Sequence, residues 1–180
     1  MNADKEIIRF WFEEIEPAQW WKKDAAFDRR LVERFSAIHA QAARCELFAW
    51  RTSAAGRLAE IIVLDQFSRN MFRDTPAAFA QDALALALSQ EAVAAKADQA
   101  LAPVQRGFLY MPYMHSESLT IHEQAVKLFE RNGIQSNLDF EIKHKKIIEQ
   151  FGRYPHRNAI LGRASTPAEI EFLKQPGSGF

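Results

Sequence analysis

Apolar residues recur at spacings of three and four along almost the whole of this chain, and strand-like alternation bounded by turns is hard to find. That periodicity points to an all-α fold. A first helix is expected from Asp4 to Glu14, with Ile7, Ile8, Trp11 and Phe12 on one face. Pro17 then falls in a loop with Trp20-Trp21, a pair read as a core or helix-packing element. Asp24 has the chemistry of an N-cap for a longer helix striped by Phe27, Leu31, Phe35, Ile38 and Ala42. Ser53 caps a third helix carrying Leu58, Ile61, Ile62, Leu64 and Phe67, apolar around most of its circumference and therefore central. Thr75-Pro76 opens a fourth that reaches about Lys96. A fifth runs from Pro103 to about Tyr110 and stops before Pro112. The sixth spans Ser116 to Arg131 and ends at Asn132-Gly133; the seventh spans Leu138 to Phe151 and ends at Gly152. Thr166-Pro167-Ala168-Glu169 is a capping box that opens a short last helix. Residues 175–180 form a Gly/Pro/Ser tail whose final Phe180 could dock. The expected architecture is one domain, residues 1–180, of seven to eight helices in antiparallel hairpins.

Charge narrows the partners. Lys+Arg and Asp+Glu both number 23, so the formal net charge is zero. No global field draws the chain to nucleic acid or to an anionic membrane, and neither partner is expected. Charge interrupts every apolar run well short of the ~20 residues a membrane helix needs. Asp4, Glu6, Glu13 and Glu14 break any signal-peptide pattern. The single cysteine, Cys45, allows no internal disulfide and reads as a small, partly buried thiol near a helix end. A cytoplasmic location is the expectation.

One short phrase occurs twice. Asp65-Gln66-Phe67-Ser68-Arg69 is followed by Arg73, and Glu149-Gln150-Phe151-Gly152-Arg153 by Arg157. Gln66 to Gln150 and Arg73 to Arg157 both span 84 residues, and a Thr-Pro follows each copy. On a helix, residues four apart share a face, so Asp65 should pair with Arg69, and Glu149 with Arg153. Each copy places two guanidinium groups near a helix C-terminus, where the dipole favours cations. Guanidinium is a planar, bidentate donor for carboxylate or phosphate. Two readings stand: equivalent helix ends with the same internal pairing, or a duplicated anion site formed by Arg69, Arg73, Arg153 and Arg157 with Asn158.

Two proline-containing loops hold the remaining chemistry. One carries Tyr110-Met111-Pro112-Tyr113-Met114-His115-Ser116-Glu117, the other Arg153-Tyr154-Pro155-His156-Arg157-Asn158. His115, Glu117 and His156 are the candidates for acid–base work near neutral pH. The competing account makes Ser116 an N-cap with Glu117 in the first helical turn. His115 and His122 share a helix face seven residues apart, about 10 Å along the axis, which is too far for one metal ion. No HExxH, paired CxxC, Gly-rich phosphate loop or nucleophile elbow is present. No metal and no cofactor are expected.

Over nearly its whole length the chain resembles an uncharacterised bacterial family catalogued as domain of unknown function 924. The resemblance rests on Phe10-Trp11-Phe12, Trp20-Trp21 through Asp24 to Phe27-Asp28, and Leu64-Asp65-Gln66-Phe67 with Arg69-Asn70 and Phe72-Arg73. It continues in Phe108-Leu109-Tyr110-Met111-Pro112 with His115-Ser116-Glu117, in Phe151-Gly152-Arg153 with Pro155-His156-Arg157-Asn158, and in Leu161-Gly162-Arg163 and Thr166-Pro167. The resemblance implies a tetratricopeptide-like, right-handed superhelix of helical hairpins and no established activity. Where the family usually reads Gln-Phe-Pro-Arg-Asn, this chain has Ser68, which lets the helix continue. The sequence supports a binding module with an Arg/His-lined groove for an anionic small molecule or peptide carboxylate. The alternatives are a hydrolase or transferase on an anionic substrate, with Glu117 orienting a histidine, and an interaction scaffold without ligand chemistry.

Overall fold

The computed structural model describes residues 2–179, so Phe180, expected to dock, lies outside the described residues. Among them every regular element is helical. α1 (Ala3–Arg9) continues into a wider i→i+5 turn at Phe10–Glu14. α2 (Ala25–Ala43) starts where Asp24 accepts from the amides of Ala26 and Phe27. α3 (Ala54–Ile62) is capped by Ser53 and passes through a second wide turn, Val63–Phe67, into α4 (Ser68–Met71). Then come α5 (Asp82–Ala94), α6 (Pro103–Met114), α7 (Leu119–Asn132), α8 (Gln135–Phe151) and α9 (Pro167–Leu173). With α3 and α4 as one run there are eight, at the upper end of the expectation.

α3 sits in the middle, packed against α1, α5 and α6, while α2 covers α4. The run from Leu58 in α3 through the wide turn to Ser68 is buried throughout, including the polar Glu60, Asp65, Gln66 and Ser68. Phe10, Trp11, Phe35 and Phe67 form the aromatic centre, with ring centroids 4.9–6.1 Å apart along the chain of contacts. α5, α6, α7 and α8 each pack on the next, and Gly133 (φ +79°) makes the α7–α8 turn in the left-handed conformation. A smaller cluster, Ile147, Ile148 and Tyr154 with Phe151 and Phe172, holds α9 to the end of α8.

Several expectations are corrected. Thr75-Pro76 opens only a short 3₁₀ turn, and α5 begins at Asp82 and ends at Ala94. The Thr75 hydroxyl donates back to the Phe72 carbonyl at 2.7 Å and so does not cap the next turn. α6 does not stop before Pro112 but runs through it to Met114. The buried face from Gly107 to Met114 outweighs the bond that Pro112 cannot make. Ser116 is not an N-cap: α7 starts after Ser118, and Glu117 lies outside the helix. Cys45 is exposed rather than partly buried, just past α2. Of the tryptophan pair, Trp20 is half-buried and donates to the Trp11 carbonyl, but Trp21 is 62% exposed.

Candidate functional site

The two copies of the repeated phrase are not equivalent. Asp65-Gln66-Phe67 lies in the wide turn between α3 and α4, with Asp65 fully buried. Such single π-type turns inside α-helices are frequent at functional sites. Arg69 Nη1 donates to Asp65 Oδ1 at 3.2 Å, the expected i, i+4 pair, and to the Asp65 carbonyl at 2.9 Å. In the second copy the Glu149–Arg153 pair does not form. Gly152 (φ +69°) ends α8, so Arg153 leaves the helix face and grips Glu169 at 2.7 and 2.8 Å. Glu149 is taken instead by Lys145.

One arginine from each copy meets its counterpart at a residue in neither phrase. Arg69 holds Asp82 with two bonds, 2.9 and 3.1 Å, and Arg157 reaches Asp82 Oδ2 at 3.1 Å. The Arg157 guanidinium lies over Phe79 and Tyr154, 4.6 and 4.7 Å from the ring centroids. Arg73 and Arg153 do not join them. Arg73 is bound by Asp28 at 2.6 and 2.8 Å, and Arg153 by Glu169. Asn158 is buried, bonded to Arg163 and Ser165.

Beside this pair stands His115, at the end of α6. Its Nδ1 is 2.7 Å from Asp65 Oδ1. Burial alone would raise the Asp65 carboxyl, but the Arg69 charge and the hydrogen bonds donated by His115 and Gln66 hold it well below the usual carboxylate range. Asp65 is therefore an acceptor only, and His115 Nδ1 carries the hydrogen. Burial and the Arg69 charge push the His115 pKa down, against the pull of Asp65. His115 is thus neutral near pH 7, with its lone pair on Nε2. None of the hydrogen bonds among the described residues uses that nitrogen, and the side chain keeps 14% of its surface exposed.

Glu117, expected to orient a histidine, has another role. Its carboxylate accepts two bonds from Arg163, at 2.7 and 2.9 Å, and one from the Tyr154 amide at 2.7 Å. Despite partial burial these donors keep it ionised, below its ordinary pKa. His156 packs beside Tyr154, ring centroids 5.5 Å apart, and burial lowers its pKa to about 4.

Sequence reasoning missed Asp65 as the partner of His115, the role of Asp82, and a buried His122–Glu141 pair, 2.7 Å between Nδ1 and Oε1. The available signal was placement. Asp65 follows the apolar run Ile61-Ile62-Val63-Leu64, and Glu141 shares a face with His144 and Ile148, so each acid had to find a donor inside. Among the described residues no group of three or more His, Cys, Asp or Glu is placed to hold a metal ion, and no helix is long and apolar enough to cross a membrane. A groove of about 540 Å³ lies elsewhere, lined by α7 and α8 residues that include Glu123, Val126, Lys127, Ile142, Lys145 and Glu149.

The fold and site together define an all-helical protein in which the fully buried Asp65 holds the partly exposed His115 beside two arginines. The chain belongs to the family described as bacterial protein of unknown function DUF924, whose model matches residues 7–177. It is similar to the solved structure of the protein of unknown function ATU0120 from Agrobacterium tumefaciens. The two share 40% identity at a TM-score of 0.91, covering 96% of this chain and 97% of that one. No curated protein matches the chain.

Proposed function

We propose that the Asp65–His115 pair is an acid–base site and that the protein is a hydrolase or transferase acting on an anionic substrate. The observation that carries this reading is the fixed tautomer of His115. Nδ1–H is held by an ionised, fully buried carboxylate, and the Nε2 lone pair is left for a proton. His115 Nε2 would accept the proton of an attacking hydroxyl or water and pass it to the leaving group. Arg69 and Arg157 supply positive charge beside it, from side chains already fixed by Asp82. Packing of α5, α6, α7 and α8 each on the next supports a tetratricopeptide-like superhelix as the scaffold. The one cysteine, exposed and outside any disulfide, suits a cytoplasmic setting.

A second reading rests on a different atom. Arg157 is buried, yet its Nε has no hydrogen-bond partner among the described residues. A small anion or peptide carboxylate bonded there would make this a binding module rather than an enzyme.

The test is a panel of chromogenic carboxylic esters and phosphate mono- and diesters, assayed with the wild type and His115→Gln at matched stability. The acid–base reading expects a turnover that falls at least about 100-fold in the variant, the usual share of general acid–base catalysis. Equal turnover in both, or none in the wild type, removes it. A metabolite-induced rise in melting temperature that disappears in Arg157→Met would then favour the binding module. No shift with any metabolite would favour the interaction scaffold.

A further inference from the structure

Three consecutive carbonyls emerge at the C-terminal end of α6, and each is taken by a different side chain from beyond that helix. The Met114 carbonyl accepts from the Tyr154 hydroxyl. The His115 carbonyl accepts from Arg157 Nη2 at 3.0 Å, and the Ser116 carbonyl from His122 Nε2 at 2.8 Å. Glu117 follows at once, held by Arg163 and the Tyr154 amide. The last carbonyls of a helix have no intrahelical donors and are commonly met by water or by a left-handed glycine cap. Here no left-handed residue closes the helix: His115 ends α6 with φ −83°, and the next turn is bolted to α7 and to the 153–163 segment.

His122 is itself fixed from behind. Its Nε2 faces a carbonyl, so that nitrogen must carry hydrogen. Its Nδ1 faces Glu141 Oε1 at 2.7 Å, and both side chains are fully buried. One proton lies between Nδ1 and Oε1. If it stays on nitrogen the pair is imidazolium and carboxylate; if on oxygen, imidazole and carboxylic acid. Nε2–H points at the Ser116 carbonyl in both cases, and turning the ring over would set carbon against both partners. The clamp therefore does not depend on where that proton sits. The Tyr154 hydroxyl oxygen lies 3.2 Å from the same Nε2 and accepts at most a share of its N–H, so the first and third carbonyl contacts sit side by side.

We propose that His122, backed by Glu141, and Tyr154 are positioning residues for His115: they fix the backbone on both sides of it so that Nδ1 meets Asp65 and Nε2 faces outward. This deepens the acid–base reading and rests on it for its function, but the geometry can be tested without a substrate. Displacing the turn by a fraction of an ångström lengthens a 2.7 Å bond enough to weaken it, and the tautomer preference of His115 follows that bond.

The experiment is ¹⁵N-resolved NMR of the His115 ring at pH 7.5 in the wild type, Tyr154→Phe, His122→Leu and His122→Gln. Circular dichroism and thermal melts confirm folding of each. The ratio of Nδ1–H to Nε2–H forms should fall on the order of fivefold in Tyr154→Phe and in His122→Leu, the worth of about one neutral hydrogen bond. His122→Gln, whose amide can still donate to the Ser116 carbonyl, should recover most of it. A residue that merely stabilised the core would lower the melting temperature and leave the ratio alone. A wild-type ratio in both folded disrupting variants overturns the proposal; where His122→Leu does not fold, a wild-type ratio in Tyr154→Phe alone overturns it. The readout is independent of turnover, so a negative substrate panel would remove the acid–base reading while leaving the clamp standing.

Discussion

Replacing Asp65 with asparagine removes a charge while keeping the shape, and the structure specifies what should follow. Asp65 is fully buried and accepts from His115 Nδ1 at 2.7 Å, Gln66 Nε2 at 2.6 Å and Arg69 Nη1 at 3.2 Å. In Asp65→Asn one oxygen becomes an amide nitrogen. Turned toward Gln66, it can be met by a flipped Gln66 amide, and the remaining oxygen still accepts from His115. The tautomer should survive. What is lost is the negative charge, and Arg69 and Arg157 then face Asp82 alone. Removing one partner of a buried pair costs roughly 3–5 kcal/mol, and we expect the lower end, ~3 kcal/mol, because Arg69 keeps both Asp82 bonds and the main-chain carbonyl at position 65. For a chain of this size that is a fall in melting temperature of ~6–12 °C. His115 should titrate lower than in the wild type, since the Asp65 charge is what favours its protonated form against burial and Arg69. Calorimetry and an NMR titration of His115 test both. A His115 pKa that stays or rises would refute the reasoning, because the carboxylate would then not be acting on the ring through its charge.

Two further outcomes follow from the core and from the other histidines. Phe67→Ala should cost about 3–5 kcal/mol in urea unfolding, because Phe67 is fully buried among Phe10, Trp11 and Phe35. A loss under 1 kcal/mol would mean that the wide turn collapses onto the gap. Burial lowers His144 to about 3 and His156 to about 4, from an ordinary 6.5. The unfolded chain therefore binds protons that the folded one refuses: their stabilisation is complete above pH 6.5 and drains as pH falls toward 4, at up to ~2.7 kcal/mol per pH unit for the two together. Urea midpoints measured from pH 7 to pH 4.5 should fall accordingly, and a flat profile would contradict the burial of these rings.

The sequence was legible where a signal is local. Asp24, Ser53 and Thr166 cap as their chemistry requires, because a side-chain oxygen two or three residues from an amide needs no tertiary information. Gly133 and Gly152 stop helices for an equally local reason. The failures are tertiary. Pro112 stays inside α6 because its neighbours are buried, and Glu117 leaves the helix because Arg163 and Tyr154, far along the chain, take its carboxylate. The wide turn at Val63–Phe67 left no mark in the apolar pattern, since buried residues line both the ordinary and the widened helix.

The repeated phrase shows why similar words need not do similar work. Asp65-Gln66-Phe67 lies within a helix that continues through Ser68, so the acid stays on the inner face and Arg69 remains within reach. Glu149-Gln150-Phe151 ends against Gly152, so the acid stays at the surface and Arg153 swings away to Glu169. A single small residue, serine or glycine, decides which. The copies nonetheless converge, through Arg69 from the first and Arg157 from the second, because Asp82 accepts both. Asp82 belongs to neither copy, and it lies at the start of α5, where the helix dipole favours its negative charge. The convergence therefore owes nothing to equivalent helix ends. It depends on α5 beginning at Asp82 rather than at Thr75-Pro76, so the helix boundary that the sequence misplaced is also what brings two arginines to the side of His115.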